Sequence, residues 1–161
     1  MTSHPSERTY TRYAATVFAR AAVGAGFLSA VADRFGLWGP AGTNDVAWGS
    51  FDAFTEYVGV LAPYLPDALL GATAWGATLA ELALGIALLA GIALRWTAFA
   101  STVTLLVFGV SMFLFSGFET PFSASVFSVA AASLLLAAAP DDSHILRLDR
   151  LVTPQPTPRT V

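Results

Sequence analysis

The stretch that decides the fold is GATAWGATLAELALGIALLAGIALRW, residues 71 to 96. It is apolar over enough length to cross a bilayer, since a spanning helix needs about 20 mostly apolar residues. Its only acid, Glu81, lies near the middle. A carboxylate at that depth is unfavourable by roughly 2.5–3.5 kcal/mol on an insertion scale. We therefore expect the Glu81 side chain to face other helices rather than lipid.

The helical face that contains Glu81 consists mostly of small residues. Small residues are enriched where membrane helices approach each other closely. The pattern therefore predicts that this face packs against a neighbouring helix. At about 100° per residue, the other members of the face are Ala74, Ala77, Thr78, Gly85 and Leu88.

The composition of the whole chain is that of an integral membrane protein. Of its 161 residues, 55% are hydrophobic and 12% are charged, whereas soluble domains carry about 25% charged residues. The mean hydropathy is +0.64. The net charge is only −3 and most basic residues lie at the edges of apolar segments, which argues against a nucleic-acid partner. The length leaves room for one domain.

Four apolar segments predict an all-α fold, a bundle of four transmembrane helices. The segments cover residues 13–36, 71–95, 97–116 and 122–139, approximately. The polar residues 1–12 and 140–161 are predicted to be tails on the cytoplasmic side, and residues 37–70 form a long outer loop.

One segment of the outer loop has the pattern of a short amphipathic helix. Ser50 is a suitable N-cap, and Pro63 and Pro66 are expected to end the helix. We expect this helix to lie on the outer surface, with its apolar face packed on the bundle or on the lipid, and a lid over a substrate site is the alternative. The apolar residues at helical spacing are Phe51, Phe54, Val58 and Leu61.

The distribution of arginines predicts the orientation. With four spans, both termini lie on one side, and the opposite side holds Arg34 as its single arginine together with several acids. Cytoplasmic loops carry the excess of Lys and Arg, so both termini are predicted to be cytoplasmic. The arginines on the side of the termini are Arg8, Arg12, Arg95, Arg147, Arg150 and Arg159.

Arg20 and Glu81 are the two ionisable residues predicted to lie well inside the spans. Counted from the cytoplasmic edge, Arg20 lies at a depth of about 12 Å and Glu81 at about 21 Å. An arginine side chain and a carboxylate can nearly bridge that gap, so we expect one coupled pair. The pair either fixes the helix register as a buried ion pair or forms a charged site for an anion, a proton or a quinone head group.

Other polar residues have a structural and a functional interpretation. Asp33 and Arg34, at the outer end of the first span, are expected to be solvated or to snorkel to the interface. Hydroxyls in membrane helices either bond the carbonyl four residues earlier or pack inward. The alternative is that they line a polar cavity; the candidate lining residues are Thr78, Ser101, Thr104 and Ser111.

The residue types exclude several kinds of site. The chain has no cysteine, which excludes disulfides, thiolate metal sites and iron–sulfur clusters held by this chain. Its two histidines, His4 and His144, lie in the polar tails, so no pair of haem ligands lies within the membrane. We expect no metal and no covalently held cofactor, and the charged pair leaves a quinone as a ligand to consider.

The chain resembles the DoxX family of small four-helix membrane proteins over residues 13 to 139. The resemblance is carried by Arg20 followed by Gly24, by ELALGIALLAG at residues 81 to 91, and by Arg95. ADRFGLWG, residues 32 to 39, resembles one branch of the family. Many members instead end the first span with Gly and Lys.

The resemblance implies a plasma-membrane protein tied to redox metabolism. The family takes its name from a subunit of an archaeal thiosulfate:quinone oxidoreductase, and relatives are linked to oxidative-stress complexes and electron-transfer maturation. It thus implies a membrane subunit of a quinone-linked oxidoreductase, with membrane lipid and with redox or sulfur-metabolism proteins as partners. The alternative function is a non-catalytic membrane scaffold or small-molecule carrier.

Overall fold

The computed structural model describes residues 7–43 and 46–140, which are helical with connecting turns and contain no β-strand. Most of the predicted C-terminal tail and the first six residues of the predicted N-terminal tail lie outside the described residues. The helices are α1 (Glu7–Arg34), α2 (Phe51–Leu61), α3 (Asp67–Ala90), α4 (Leu94–Ser111), α5 (Thr120–Ser123) and α6 (Val126–Ala138), and a π-helical segment, Met112–Ser116, continues α4.

Within the described residues, three helical stretches are long and apolar enough to cross a membrane: Thr9–Arg34, Asp67–Ala90 and Leu94–Ser116. They correspond to the first three predicted spans, although α1 begins within the predicted tail, at Glu7. The fourth predicted span is interrupted between α5 and α6, where Ser125 has a left-handed φ of 57°. Helix α6 has 13 residues, or about 20 Å, which is shorter than the hydrocarbon core of about 30 Å. Helix α6 by itself is therefore too short to span the hydrocarbon core.

The helices pack mainly as two pairs, α1 with α3 and α4 with α6. One buried cluster joins the end of α3, the start of α4 and the end of α6 through Leu88, Leu94 and Leu136, with Val23 and Phe27 of α1. Because α1 runs antiparallel to α3, α1 begins and α6 ends on the same side of the bundle. This agrees with the common side predicted for the two ends of the membrane domain.

The small face of α3 is buried, as predicted. Ala74, Thr78, Glu81, Gly85 and Leu88 are its buried residues. The closest approach to α1 is at Gly85, where a Cβ atom would lie 2.9 Å from Leu28 Cδ2 and 3.1 Å from the carbonyl oxygen of Gly24. A side chain at position 85 would therefore press on Leu28 and on the backbone of α1.

Gly85→Leu is expected to destabilise the bundle by about 1–3 kcal/mol or more, because overpacking a close helix crossing forces backbone shifts. Gly76→Leu on the same helix is the matched control, since a Cβ atom at Gly76 has nothing within 4 Å. Both changes replace one helical glycine, so the difference between their free energies of unfolding isolates the steric effect of a side chain at the helix crossing. The free energy of unfolding in mild detergent is the measurement. Equal stability of the two variants would contradict the close crossing.

Helix α1 ends well below the outer end of α3. Its last residue, Arg34, lies beside Thr78 and Glu81, whereas α3 begins at Asp67, about 16 Å before Thr78. The outer part of α3 is covered instead by α2, whose Phe54 packs with α3 in a common buried cluster. The end of α1 therefore lies inside the bundle and not at its edge.

The predicted helix in the outer loop is present. Ser50 caps α2, its hydroxyl accepting a hydrogen bond from the backbone N–H of Ala53 at 3.2 Å. Phe54, Val58 and Leu61 are buried. Of the two expected surfaces, the apolar face of α2 occupies the bundle and not the lipid, because it packs against α3 and the π-helical segment.

Candidate functional site

The centre of the candidate site is an ion pair between the end of α1 and the middle of α3. One terminal nitrogen of Arg34, Nη2, donates to both carboxylate oxygens of Glu81 at 2.8 and 2.7 Å. Its other terminal nitrogen, Nη1, donates to Thr78 Oγ1 at 2.9 Å, and the Thr78 hydroxyl donates to the Ala74 carbonyl at 2.8 Å. The side chains of Arg34 and Glu81 are 2% and 5% exposed, so the pair is buried and its charges compensate each other.

Aromatic side chains from the outer loop and α2 cover the guanidinium of Arg34. Its Cζ lies 3.7 Å from the centre of the Phe54 ring and 5.3 Å from that of Trp48. The two rings pack edge to face, with their centres 5.2 Å apart. A cation over an aromatic face gains about 2 kcal/mol or more when both groups are desolvated. The aromatic residues of the outer loop are therefore part of the charged site.

One hydrogen-bond donor of the ion pair has no acceptor among the described residues. The Nε–H of Arg34 is buried and has no hydrogen-bond partner among the described residues. An unsatisfied buried donor is unfavourable by about 1–3 kcal/mol, so a ligand that supplies an acceptor would be favoured here.

The predicted pairing of Glu81 with Arg20 is wrong, because Glu81 pairs with Arg34. Arg20 is buried, but it lies about 21 Å from Arg34 along α1. The antiparallel packing places Gly24 against Gly85, so Arg20 is directed away from Glu81 along the bundle. The depth estimate failed because it assumed that α1 and α3 enter the membrane at the same level.

The expectation that Asp33 and Arg34 are solvated is also wrong, since they are 5% and 1% exposed. The Oδ2 atom of Asp33 accepts from the backbone N–H groups of Ala47 and Trp48 at 3.1 and 2.9 Å. Asp33 thereby fixes the loop that places the Trp48 ring over Arg34. The adjacent acid and base at the end of α1 have different tasks: one positions the loop and the other binds Glu81.

The four predicted lining hydroxyls do not share one cavity. Thr78 belongs to the ion pair, as described above. Ser101 is fully buried and donates to the carbonyl of Thr97 at 2.8 Å, which is the structural alternative of the prediction. Thr104 and Ser111 line a separate groove of about 490 Å³ between α2, α3 and α4.

A second feature of the site is an apolar cavity of about 210 Å³ with Arg34 and Glu81 in its wall. Trp48 and Tyr57 contribute from the outer loop and α2. The remaining lining comes from α1, from α4 with its π-helical extension, from the break between α5 and α6, and from α6. The Tyr57 hydroxyl lies 3.2 Å from the hydroxyl of Ser116. The other lining residues are Val23, Gly26, Phe27, Ala30, Leu105, Phe108, Met112, Ala124, Val126 and Val129.

Over residues 7–43 and 46–140, no group of three or more His, Cys, Asp or Glu side chains is placed to hold a metal ion. No protein-family model, curated protein or solved structure matches the chain. The ion pair and the cavity beside it are the features of the site that can bind a ligand.

Sequence reasoning identified Glu81 and Thr78 but missed their partner and the aromatic wall. Arg34 was assigned to the interface because it ends an apolar segment. The sequence does contain a signal for the aromatic wall. Phe54 begins the apolar stripe of α2 that is buried, and Trp48 directly precedes Gly49 and the Ser50 cap, so both rings lie near the start of α2. The sequence pattern alone suits Trp48 to a membrane interface and does not indicate that either ring covers an arginine.

Proposed function

We propose that the chain is a DoxX-like membrane protein that binds a quinone ring beside the Arg34–Glu81 pair, as a membrane subunit in quinone-linked redox metabolism. The observation that carries the proposal is the buried ion pair in the wall of an apolar, aromatic-lined cavity. An intramembrane charged pair is a functional-site hypothesis by default. The resemblance to the DoxX family supplies the link to quinones and to redox or sulfur-metabolism partners.

The chemistry of the cavity fits a quinone head group. A quinone carbonyl accepts hydrogen bonds and donates none, and the Arg34 Nε–H is a buried donor without a partner among the described residues. The cavity holds about 210 Å³, and an apolar cavity of about 150 Å³ is enough for benzene. One substituted ring therefore fits. Bound there, a quinone would supply the electron-accepting group, while Arg34 would orient its carbonyl and the apolar wall would exclude water.

The proposal places the protein in the plasma membrane with both termini cytoplasmic and with α5 and α6 together serving as a fourth span. The arginine distribution supports this orientation. Local thinning of the bilayer or burial against a partner protein would accommodate the shorter α6. Reporter fusions at Val161 and in the segment 39–44 test it: a reporter active only outside the cytoplasm should work in the segment and fail at Val161.

A cavity-filling change tests quinone binding directly. Val129→Phe places a ring in the cavity wall of α6 and is expected to weaken binding of a quinone about tenfold or more, because the added volume competes with the ligand. The measurement is quenching of tryptophan fluorescence, to which Trp48 in the wall should contribute, by a short-chain quinone in detergent.

Leu135→Phe is the control for that change, since Leu135 lies on the same helix and is 74% exposed. It should bind the quinone as the unaltered protein does. Saturable binding that both variants retain would place the ligand elsewhere. Absence of quinone binding, with transport of a small lipophilic molecule into vesicles, would favour the carrier alternative.

A further inference from the structure

The cavity beside the ion pair has its mouth on the side of the bundle. Of the residues that line it, Gly26 of α1 and Ala124, between α5 and α6, are the exposed ones, and the rest are buried or half-buried. A Cβ atom built on Gly26 has nothing within 4 Å. The opening therefore lies between α1 and the break that separates α5 from α6.

The residues around the mouth are apolar. Gly26 lies within the apolar stretch Thr9–Arg34, about 12 Å along α1 from Arg34. Near the other edge of the mouth, Phe122 is 57% exposed, as expected for a residue in contact with lipid. With Thr9–Arg34 taken as a span, a molecule that passes between Gly26 and Ala124 would come from the bilayer and not from water.

We infer that the site takes a ligand with a ring-sized polar head and a long apolar tail, which enters sideways from the bilayer and leaves its tail in the mouth at Gly26 and Ala124. This inference rests on the proposed function and names the form of its substrate. The cavity of about 210 Å³ holds one ring but not a prenyl chain, so the tail has to remain outside. The break between α5 and α6, with its left-handed Ser125, lies directly beside Ala124 at the edge of the mouth.

The unpaired hydrogen-bond donor of Arg34 favours entry of the ligand's polar head group into the cavity. The Nε–H of Arg34, a residue that is 1% exposed and lines the cavity, has no hydrogen-bond partner among the described residues. A carbonyl acceptor in the hydrocarbon core has few other hydrogen-bond donors available to it. A ring carbonyl that reaches this donor gains a hydrogen bond, while its tail keeps the environment that it had in lipid.

Photocrosslinking tests the route. The probe is a prenylated quinone with a diazirine on the first isoprene unit of its tail, added to the full chain in vesicles. We expect labelling near Gly26 and Ala124, and excess tail-free quinone should suppress it by competing for the cavity. Labelling that is suppressed but maps to another face of the bundle would overturn the lateral mouth and leave the proposed function intact.

A variant at the mouth gives a second readout. Gly26→Phe should weaken binding of the long-tailed quinone about tenfold and affect the tail-free quinone much less. Gly71→Phe on α3, where a Cβ atom also meets nothing within 4 Å, is the control and should bind both. An equal loss of affinity for both quinones, or no loss of affinity for either, would overturn the inference. If the unaltered protein binds neither quinone, the proposed function itself fails.

Discussion

Arg34→Met is expected to lower the free energy of unfolding by about 3–5 kcal/mol, because it leaves the Glu81 carboxylate buried without its partner. Arg34 makes both of the short bonds to Glu81 and one to Thr78. Glu81→Gln should be milder, since a neutral amide can still accept from the guanidinium. The double change Arg34→Met with Glu81→Met should recover much of the loss, as it removes both charges together. Denaturation in mild detergent, followed by circular dichroism, is the measurement.

A variant of Arg20 provides the control for these single and double variants. Combined with Glu81→Gln, Arg20→Met should give additive losses, because the structure pairs Glu81 with Arg34 instead and residues without shared contacts are usually independent. Strong coupling to Arg20 would show that the ion pair is assigned to the wrong arginine.

The same double variant separates a structural pair from a functional one. Replacing a buried ion pair with apolar side chains is often neutral or stabilising for folding. If the pair only fixes the register of α1 against α3, the folded double variant should still bind a quinone in the adjacent cavity. If Arg34 orients the ligand, the double variant should fold and lose binding. We expect the second outcome, since Arg34 lines the cavity and its Nε–H lacks a partner among the described residues.

Much of the fold follows from local sequence patterns. The first three apolar stretches, the cap at Ser50 and the small face around Glu81 each depend on residues close together in the chain, and the helices that they predict are present. The fourth apolar stretch is broken at Ser125. The relative level of α1 and α3 depends on contacts between distant residues, such as Gly24 with Gly85. A hydropathy pattern does not contain that information, because sliding one helix along another leaves both patterns unchanged.

The error in the candidate site has the same origin. Glu81 was recognised because an acid in an apolar helix needs a partner. Arg34 was taken for an interfacial residue because it ends an apolar stretch, yet α2 covers the outer part of α3 and thereby buries the end of α1. The burial of Arg34 is thus a consequence of the chain returning into the bundle after the loop.

Phe54→Ala is expected to have an effect as large as the loss of Arg34, about 3–5 kcal/mol, which is typical of truncating a buried phenylalanine. Phe54 is fully buried, holds α2 against Ala74 of α3 and lies under the guanidinium, 3.7 Å from its Cζ. Its removal leaves a cavity and one uncovered side of a buried cation. Phe18→Ala, at a position that is 75% exposed, should change stability little in the same detergent assay.

Phe54→Leu separates packing from the interaction with the cation. Leucine keeps most of the apolar contact but has no aromatic face, so the loss should be about 1–2 kcal/mol when Arg34 is present. In the Arg34→Met with Glu81→Met background, where no cation remains, the penalty of Phe54→Leu should shrink by about that amount. An unchanged penalty would mean that Phe54 acts only as a packing residue. A reduced penalty would establish that α2 stabilises the charged site through its aromatic face, and so links the outer loop to the cavity in which we place the ligand.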